Sequence, residues 1–235
     1  MSEVTSDHLL FAVSELCWDI VDRTQKPEIA LSEDGLWHHL LTCLLSSQVP
    51  YDLAVAAADS IADHRFLDGP EAGLAHEVDR LTNILSQPFN VQGRSRRYRF
   101  PNVKARQIVE TRCAVSEAAG SLSELVGTFE DCELARDWFI RHAPGMGPKQ
   151  TSMFLRDVGL TNDLAILDRH VIRYMRAVGL WNSSSEVITG LKEYVRHEAV
   201  LKDHAEELGH PVGIVDGAIW IVMRVSKQRK LEFFL

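Results

Sequence analysis

Apolar residues return every third or fourth position through most of this chain. That spacing predicts α-helices over Leu9–Val21, Leu36–Leu45, Leu53–Ile61, Ala105–Ala118, Cys132–His142, Lys149–Val158, Arg169–Val178, Val187–His197 and Gly213–Val225. Alternating patterns long enough to make a useful strand are missing. Breakers and caps fall between the periodic stretches, at Gly69–Pro70, Gln87–Pro88, Phe100–Pro101, the Pro144–Pro148 hairpin and Asn182–Ser185. Ser183–Ser185 therefore reads as a turn or helix cap rather than a nucleophile. The expected fold class is all-α, with nine or ten helices and no internal repeat.

A chain of 235 residues can hold one sizeable core or two smaller lobes sharing a cleft. Its 46% apolar and 25% charged residues match an ordinary globular protein. No apolar run approaches the roughly 18 residues of a membrane span. The first residues lack the basic region of a secretory signal. The chain is accordingly read as cytoplasmic, with no membrane partner. Its four cysteines, Cys17, Cys43, Cys113 and Cys132, are dispersed and read as buried reduced thiols, not as a zinc or iron–sulfur site. The ten histidines show no ligand spacing either, so no metal site is expected.

The net charge of −8 argues against a nucleic-acid partner, but its distribution argues the other way. Gly93 to Arg106, GRSRRYRFPNVKAR, carries Arg94, Arg96, Arg97, Arg99, Lys104 and Arg106 without one acid, interleaved with Tyr98 and Phe100. A solvated helix face or a loop would account for such a run. The aromatic interleaving and the lack of acids favour a phosphate-facing surface. Arg224, Lys227, Arg229 and Lys230 form a second basic cluster.

Candidate chemistry concentrates in PGMGPKQTSMFLRDVGLTNDLAILDRHVIRYM, Pro144 to Met175. Gly145 and Gly147 permit a tight turn that brings bare N–H groups close to an anion. Pro148 suits the first position of a helix, which makes Lys149 a first-turn residue in a field that favours the neutral, nucleophilic amine. Asp168 follows an apolar triplet and precedes a helix with Val171, Ile172 and Met175 on one face, so it is placed to cap that helix. A capping carboxylate can keep one oxygen free to stabilise positive charge on a sugar. Alone, each residue has an ordinary structural explanation.

Together, PGMGPK and LDRHVIRYM resemble the helix-hairpin-helix, Gly/Pro-Asp signature of the DNA glycosylase superfamily, and look most like its archaeal-type 8-oxoguanine DNA glycosylase/lyase branch. YRFPNVKARQIVETR, LLSSQVPYDLA and PVGIVDGAIWIV resemble further segments of it, so the resemblance spans about residues 36 to 225. It implies two helical lobes flanking a cleft, with 36–160 as a central lobe and 1–35 plus 161–235 as the second. It also implies a bifunctional glycosylase/AP lyase acting on double-stranded DNA with a damaged or modified base, which is flipped out before chemistry. Lys149 would be the amine nucleophile and Asp168 the acid assisting attack at C1′. Gly145 and Gly147 would bind phosphate, Gln48 would fill the gap left in the duplex, and Arg94, Arg96, Arg97, Arg99 and Lys104 would hold the backbone. No cofactor is required, although the hairpin is suited to a monovalent cation, and the chain is read as a monomer. In that branch the extreme C-terminus helps to recognise the oxidised guanine and usually ends in lysine soon after the Trp-containing helix. Here the chain runs past Trp220 through MRVSKQRKLEFFL to Leu235, so a different base, such as a hypermodified cytosine of phage DNA, stays open beside 8-oxoguanine. A non-catalytic DNA-binding module would account for the hairpin without Lys149 and Asp168, and a helical interaction scaffold would leave the acid-free 93–106 segment unexplained.

Overall fold

The computed structural model describes residues 5–24, 32–64, 73–185 and 187–232. In chain order the elements are α1 (Ser6–Thr24), α2 (Glu33–Leu45), α3 (Tyr51–Asp63), α4 (Leu74–Ser86), β1 (Pro88–Val91), β2 (Arg94–Arg97), α5 (Pro101–Ala119) and α6 (Leu122–Gly127). They continue with α7 (Cys132–His142), α8 (Pro148–Asp157), α9 (Arg169–Ala177), α10 (Gly190–Glu207) and α11 (Val212–Glu232). The class is all-α, as the periodicity predicts. The chain divides into two compact units, Ile29–Val158 and Met1–Glu28 with Gly159–Leu235.

In the Ile29–Val158 unit, α2 is the central element, burying Leu36, Trp37, Leu40, Leu41, Cys43, Leu44 and Leu45. A helix apolar on nearly all sides must be surrounded, and α3, α5, α6 and α8 pack around it. Each fully buried leucine contributes about 1.5–3 kcal/mol relative to its exposed state. The six-residue α6 has too little length for a periodic signal and depends on tertiary contacts. Its first N–H groups, from Leu122 and Ser123, donate to the Glu33 carboxylate at 2.8 Å each. Those bonds hold the Glu33 carboxyl below its ordinary pKa, although partial burial pulls the other way.

The sequence pattern missed α4, although Leu81, Ile84 and Leu85 keep its period. Glu77 interrupts the expected alternation because the fold buries it, paired to Arg80 at 2.6 Å and to Arg112 at 3.5 Å. It also missed a two-stranded hairpin. Four residues per strand are too short to establish an alternation, but Phe89 and Val91 are buried between exposed neighbours. Gln92 and Gly93, at φ 51° and 75°, supply the two left-handed residues a tight hairpin turn requires. Register pairs Val91 with Arg94, Phe89 with Arg96 and Pro88 with Arg97.

In the other unit, α1, α9, α10 and α11 bury Val13, Cys17, Val171, Tyr174, Met175, Tyr194, Leu201, Val215 and Ile219 in one cluster. The predicted Val187–His197 helix is displaced: α10 begins at Gly190, where Glu193 accepts from Thr189 N–H and Oγ1 at 2.6 and 2.8 Å, and Val187 is left exposed. It then runs on to Glu207. Cys17 and Cys43 are buried, but Cys113 and Cys132 are only half-buried; all four are free thiols. Gly69–Pro70 and Leu235 lie outside the described residues.

Candidate active site and nucleic-acid interface

Helices α7 and α8 pack against each other through Phe139 and Phe154, whose rings meet edge to face with centroids 5.1 Å apart. Between them Met146 is buried and its N–H donates to Ala143 O at 3.0 Å, which fixes the turn. Gly145 sits at φ 86°, and a Cβ there would come within 2.2 Å of Gln107 Oε1 on α5. The left-handed backbone is what disfavours a side chain here, and any Cβ would also push the end of the Gln107 side chain aside. Gly147 is the N-cap of α8 and Pro148 occupies the first turn. The N–H groups of Gly145, Gly147 and Lys149 have no hydrogen-bond partner among the described residues. A helix start with such free donors favours an anion.

Lys149 is half-buried and makes no hydrogen bond or ion pair among the described residues. Its charge acts on the buried Cys43 thiol of α2. Burial above all, and then the Asp157 carboxylate 3.9 Å from its sulfur, hold that thiol well above its ordinary pKa, with Lys149 opposing. Cys43 is thus a neutral thiol and a poor nucleophile beside the amine. Asp157 keeps solvent contact, yet the protein around it lifts its carboxyl, with His39 and Arg156 opposing.

Asp168 is the N-cap of α9, as expected. Its Oδ1 accepts from His170 N–H at 2.7 Å and Val171 N–H at 2.9 Å. Its other oxygen carries no hydrogen bond among the described residues. Capping therefore occupies one carboxylate oxygen and leaves a second for chemistry. The segment before it, residues 164–168, belongs to no helix or strand, and its backbone polar groups need partners elsewhere. They find them in three buried side chains. Ala165 N–H donates to Glu198 Oε1 at 2.9 Å, Ile166 N–H to Asp216 Oδ2 at 2.6 Å and Leu167 N–H to Tyr194 Oη at 3.0 Å. The same Tyr194 hydroxyl donates to Ala165 O at 2.7 Å.

Local sequence pattern did not single out these three. Tyr194 and Glu198 lie one turn apart on α10, polar positions buried within an apolar period, and that was their only signal. Nor did it single out Arg169 and Arg173, exposed one turn apart on α9 directly behind Asp168.

The basic segment divides into two environments. Arg94, Arg96 and Arg97 are exposed along β2, and exposed Arg99 lies over the Phe100 ring at 5.0 Å. Tyr98 is not a contact surface: it is buried, and its hydroxyl donates to Leu45 O at 2.7 Å, tying the hairpin exit to the end of α2. Three residues beyond Leu45 stands Gln48, exposed and at φ 61°. A left-handed glutamine costs roughly 1–2 kcal/mol of backbone strain, and such strain clusters where function needs a particular projection.

Lys104 departs from the expected basic row. It is buried, 5% exposed, because its place in the first turns of α5 points inward beside Ala105 and Ile108. Burial lowers its pKa to about 8. A lysine with a lower pKa in the folded state than in the unfolded chain opposes folding while it must be protonated. Stability should therefore rise as pH increases from about 8 towards 10.5. Replacing Lys104 with methionine should remove that pH dependence and raise stability at pH 7 by roughly 1–2 kcal/mol, measured by thermal melts across pH. DNA affinity should stay within about twofold of wild type, since no phosphate contact is lost.

Lys149, the glycine hairpin, Gln48 and the arginines belong to the Ile29–Val158 unit, and Asp168 to the other. Among the described residues no three His, Cys, Asp or Glu side chains converge to hold a metal.

The family model described as 8-oxoguanine DNA glycosylase matches residues 22–210. The 8-oxoguanine DNA glycosylase/AP lyase of Saccharolobus solfataricus is 34% identical over 193 residues, covering 81% of this chain and 83% of that protein. Its counterpart in Sulfurisphaera tokodaii is 31% identical over 188 residues, covering 79% and 80%. The solved structure of the 8-oxoguanine DNA glycosylase of Thermotoga maritima superposes with a TM-score of 0.66 at 25% identity, covering 92% of this chain and 96% of the other. The Methanocaldococcus jannaschii 8-oxoguanine glycosylase/lyase, solved in complex with a 15mer DNA containing 8-oxoguanine, superposes at 0.69 and 23% identity, covering 91% and 96%; it shares the fold.

Proposed function

This chain belongs to the 8-oxoguanine DNA glycosylase family, and we propose that it excises an oxidised guanine from double-stranded DNA and cleaves the strand, with Lys149 as nucleophile and Asp168 as its electrostatic partner. It is an enzyme of the DNA glycosylase/AP lyase class. The observation that carries the residue assignment is a lysine without hydrogen bond or ion pair among the described residues, in the first turn of α8 directly behind a phosphate-competent hairpin.

The neutral Lys149 amine attacks the sugar C1′ as the bond from C1′ to the base breaks, and the base departs with the bonding electrons. Asp168 stabilises the positive charge that builds on the sugar. Loss of a proton from nitrogen and opening of the sugar ring leave an imine between Lys149 and C1′. Removal of a C2′ proton then expels the 3′ phosphate by β-elimination. A stacked base must leave the helix before this attack, and Gln48 is suited to occupy the gap. Arg94, Arg96, Arg97 and Arg99, with Arg169 and Arg173 added, hold phosphates, and the hairpin amides take another. The hairpin carbonyls suit a monovalent cation, and no cofactor enters the chemistry. The enzyme acts as a monomer on intracellular DNA.

A panel of duplexes, each with one lesion or modified base, tests this reading by strand cleavage before and after alkali. The 8-oxoguanine duplex should be nicked without alkali and should trap a covalent adduct under borohydride. Cleavage only after alkali would remove the lyase step, and no cleavage of that duplex beside cleavage of a modified-cytosine duplex would reassign the base.

A further inference from the structure

Tyr194, Glu198 and Asp216 never touch the reacting atoms in the scheme above, yet all three converge on the residues immediately before Asp168. They are 3%, 1% and 3% exposed. Their four hydrogen bonds, with Asp168 N–H donating to Ile166 O at 2.8 Å, hold every peptide from Ala165 to Asp168. The Tyr194 hydroxyl grips two peptides at once, accepting from Leu167 N–H and donating to Ala165 O. It sets the spacing between those peptides as well as their orientation.

We infer that Tyr194 is a positioning residue for Asp168, acting through the 165–167 backbone, with Glu198 and Asp216 as its anchors. The segment belongs to no helix or strand; Ala165 and Leu167 seat it in the core, the α9 cap bonds hold Asp168 Oδ1, and the harness sets the path of the backbone that delivers the carboxylate. A small error of placement matters for a group that stabilises a developing charge, whereas it matters little for phosphate binding elsewhere. The inference rests on the role of Asp168 proposed above.

Tyr194→Phe keeps the buried ring and deletes the hydroxyl. Base release in a single turnover should slow by on the order of 10²-fold. Strand cleavage of a duplex carrying a preformed abasic site, which bypasses base release, should stay within about twofold of wild type. In an Asp168→Asn background the same change should add almost nothing, because the group being aimed is gone. Equal slowing of both steps, full additivity on Asp168→Asn, or unchanged base release would each overturn the inference. Unchanged base release in Asp168→Asn by itself would instead remove the assumed role of Asp168, so the two failures are distinguishable. Where Tyr194→Phe does not fold, Glu198→Gln and Glu198→Leu serve in its place. Gln keeps an acceptor for Ala165 N–H and should retain base release, Leu should lose it at that step alone, and equal behaviour of the two variants overturns the proposal.

Discussion

Replacing Lys149 with alanine should abolish the covalent adduct trapped by borohydride and the strand cleavage that follows from it, and slow base release by roughly 10³-fold or more. The expectation rests on the isolation of this amine. Lys149 makes no hydrogen bond or ion pair among the described residues, so its loss orphans no buried group. Alanine is a good helix former, and removing a cation from the positive end of α8 is mildly favourable. Stability should therefore remain within about 0.5 kcal/mol of wild type. Cys43 does not stand in for the proposed nucleophile. Cys43 is already held as a neutral thiol by burial and Asp157, and losing Lys149 removes the one charge that pulled its pKa down. Gel analysis of borohydride-treated reactions checks the result, and an adduct equal to that of wild type would refute the assignment.

Asp168→Asn should slow base release by about 10²–10³-fold while leaving duplex affinity and thermal stability nearly unchanged. The choice of asparagine follows from the cap geometry. Oδ1 accepts from His170 and Val171 N–H, and an amide oxygen can accept both bonds, so α9 keeps its N-terminus. What disappears is the negative charge on the free oxygen. Asp168→Ala should show the same kinetic defect plus a loss of about 1 kcal/mol from the missing cap. Comparing the two variants separates capping from chemistry, which one substitution cannot. Single-turnover rates on an 8-oxoguanine duplex beside thermal melts make the measurement, and equal base release by wild type and Asp168→Asn would defeat the proposed role.

Long amphipathic helices were legible in the sequence because each carries its own period: α1, α2, α3, α5, α7, α8 and α9 all lie where apolar spacing placed them, give or take a turn, whereas α11 runs on past Val225 to Glu232. Elements stabilised by distant partners were not. Helix α6 depends on Glu33 some ninety residues away, and the hairpin depends on Tyr98 reaching Leu45. The α10 boundary depended on the Thr189–Glu193 bonds rather than on hydrophobicity. Burial was the other blind spot. Lys104 and Tyr98 sit in a segment whose charge reads as surface, but helical phase and strand exit turn them inward, and the exposed basic residues of the segment are its arginines.

Local periodicity and backbone preference were enough to specify the class of fold, the glycine hairpin, the first-turn position of Lys149 and the capping role of Asp168, because each follows from residues close together in the chain. Long-range packing set which basic residues face solvent, put Cys43 within the electrostatic reach of Lys149 and Asp157, and brought Tyr194, Glu198 and Asp216 onto the segment before Asp168. Those facts depend on contacts between residues dozens of positions apart, and no local pattern of polar and apolar residues encodes which distant side chain will satisfy a given N–H.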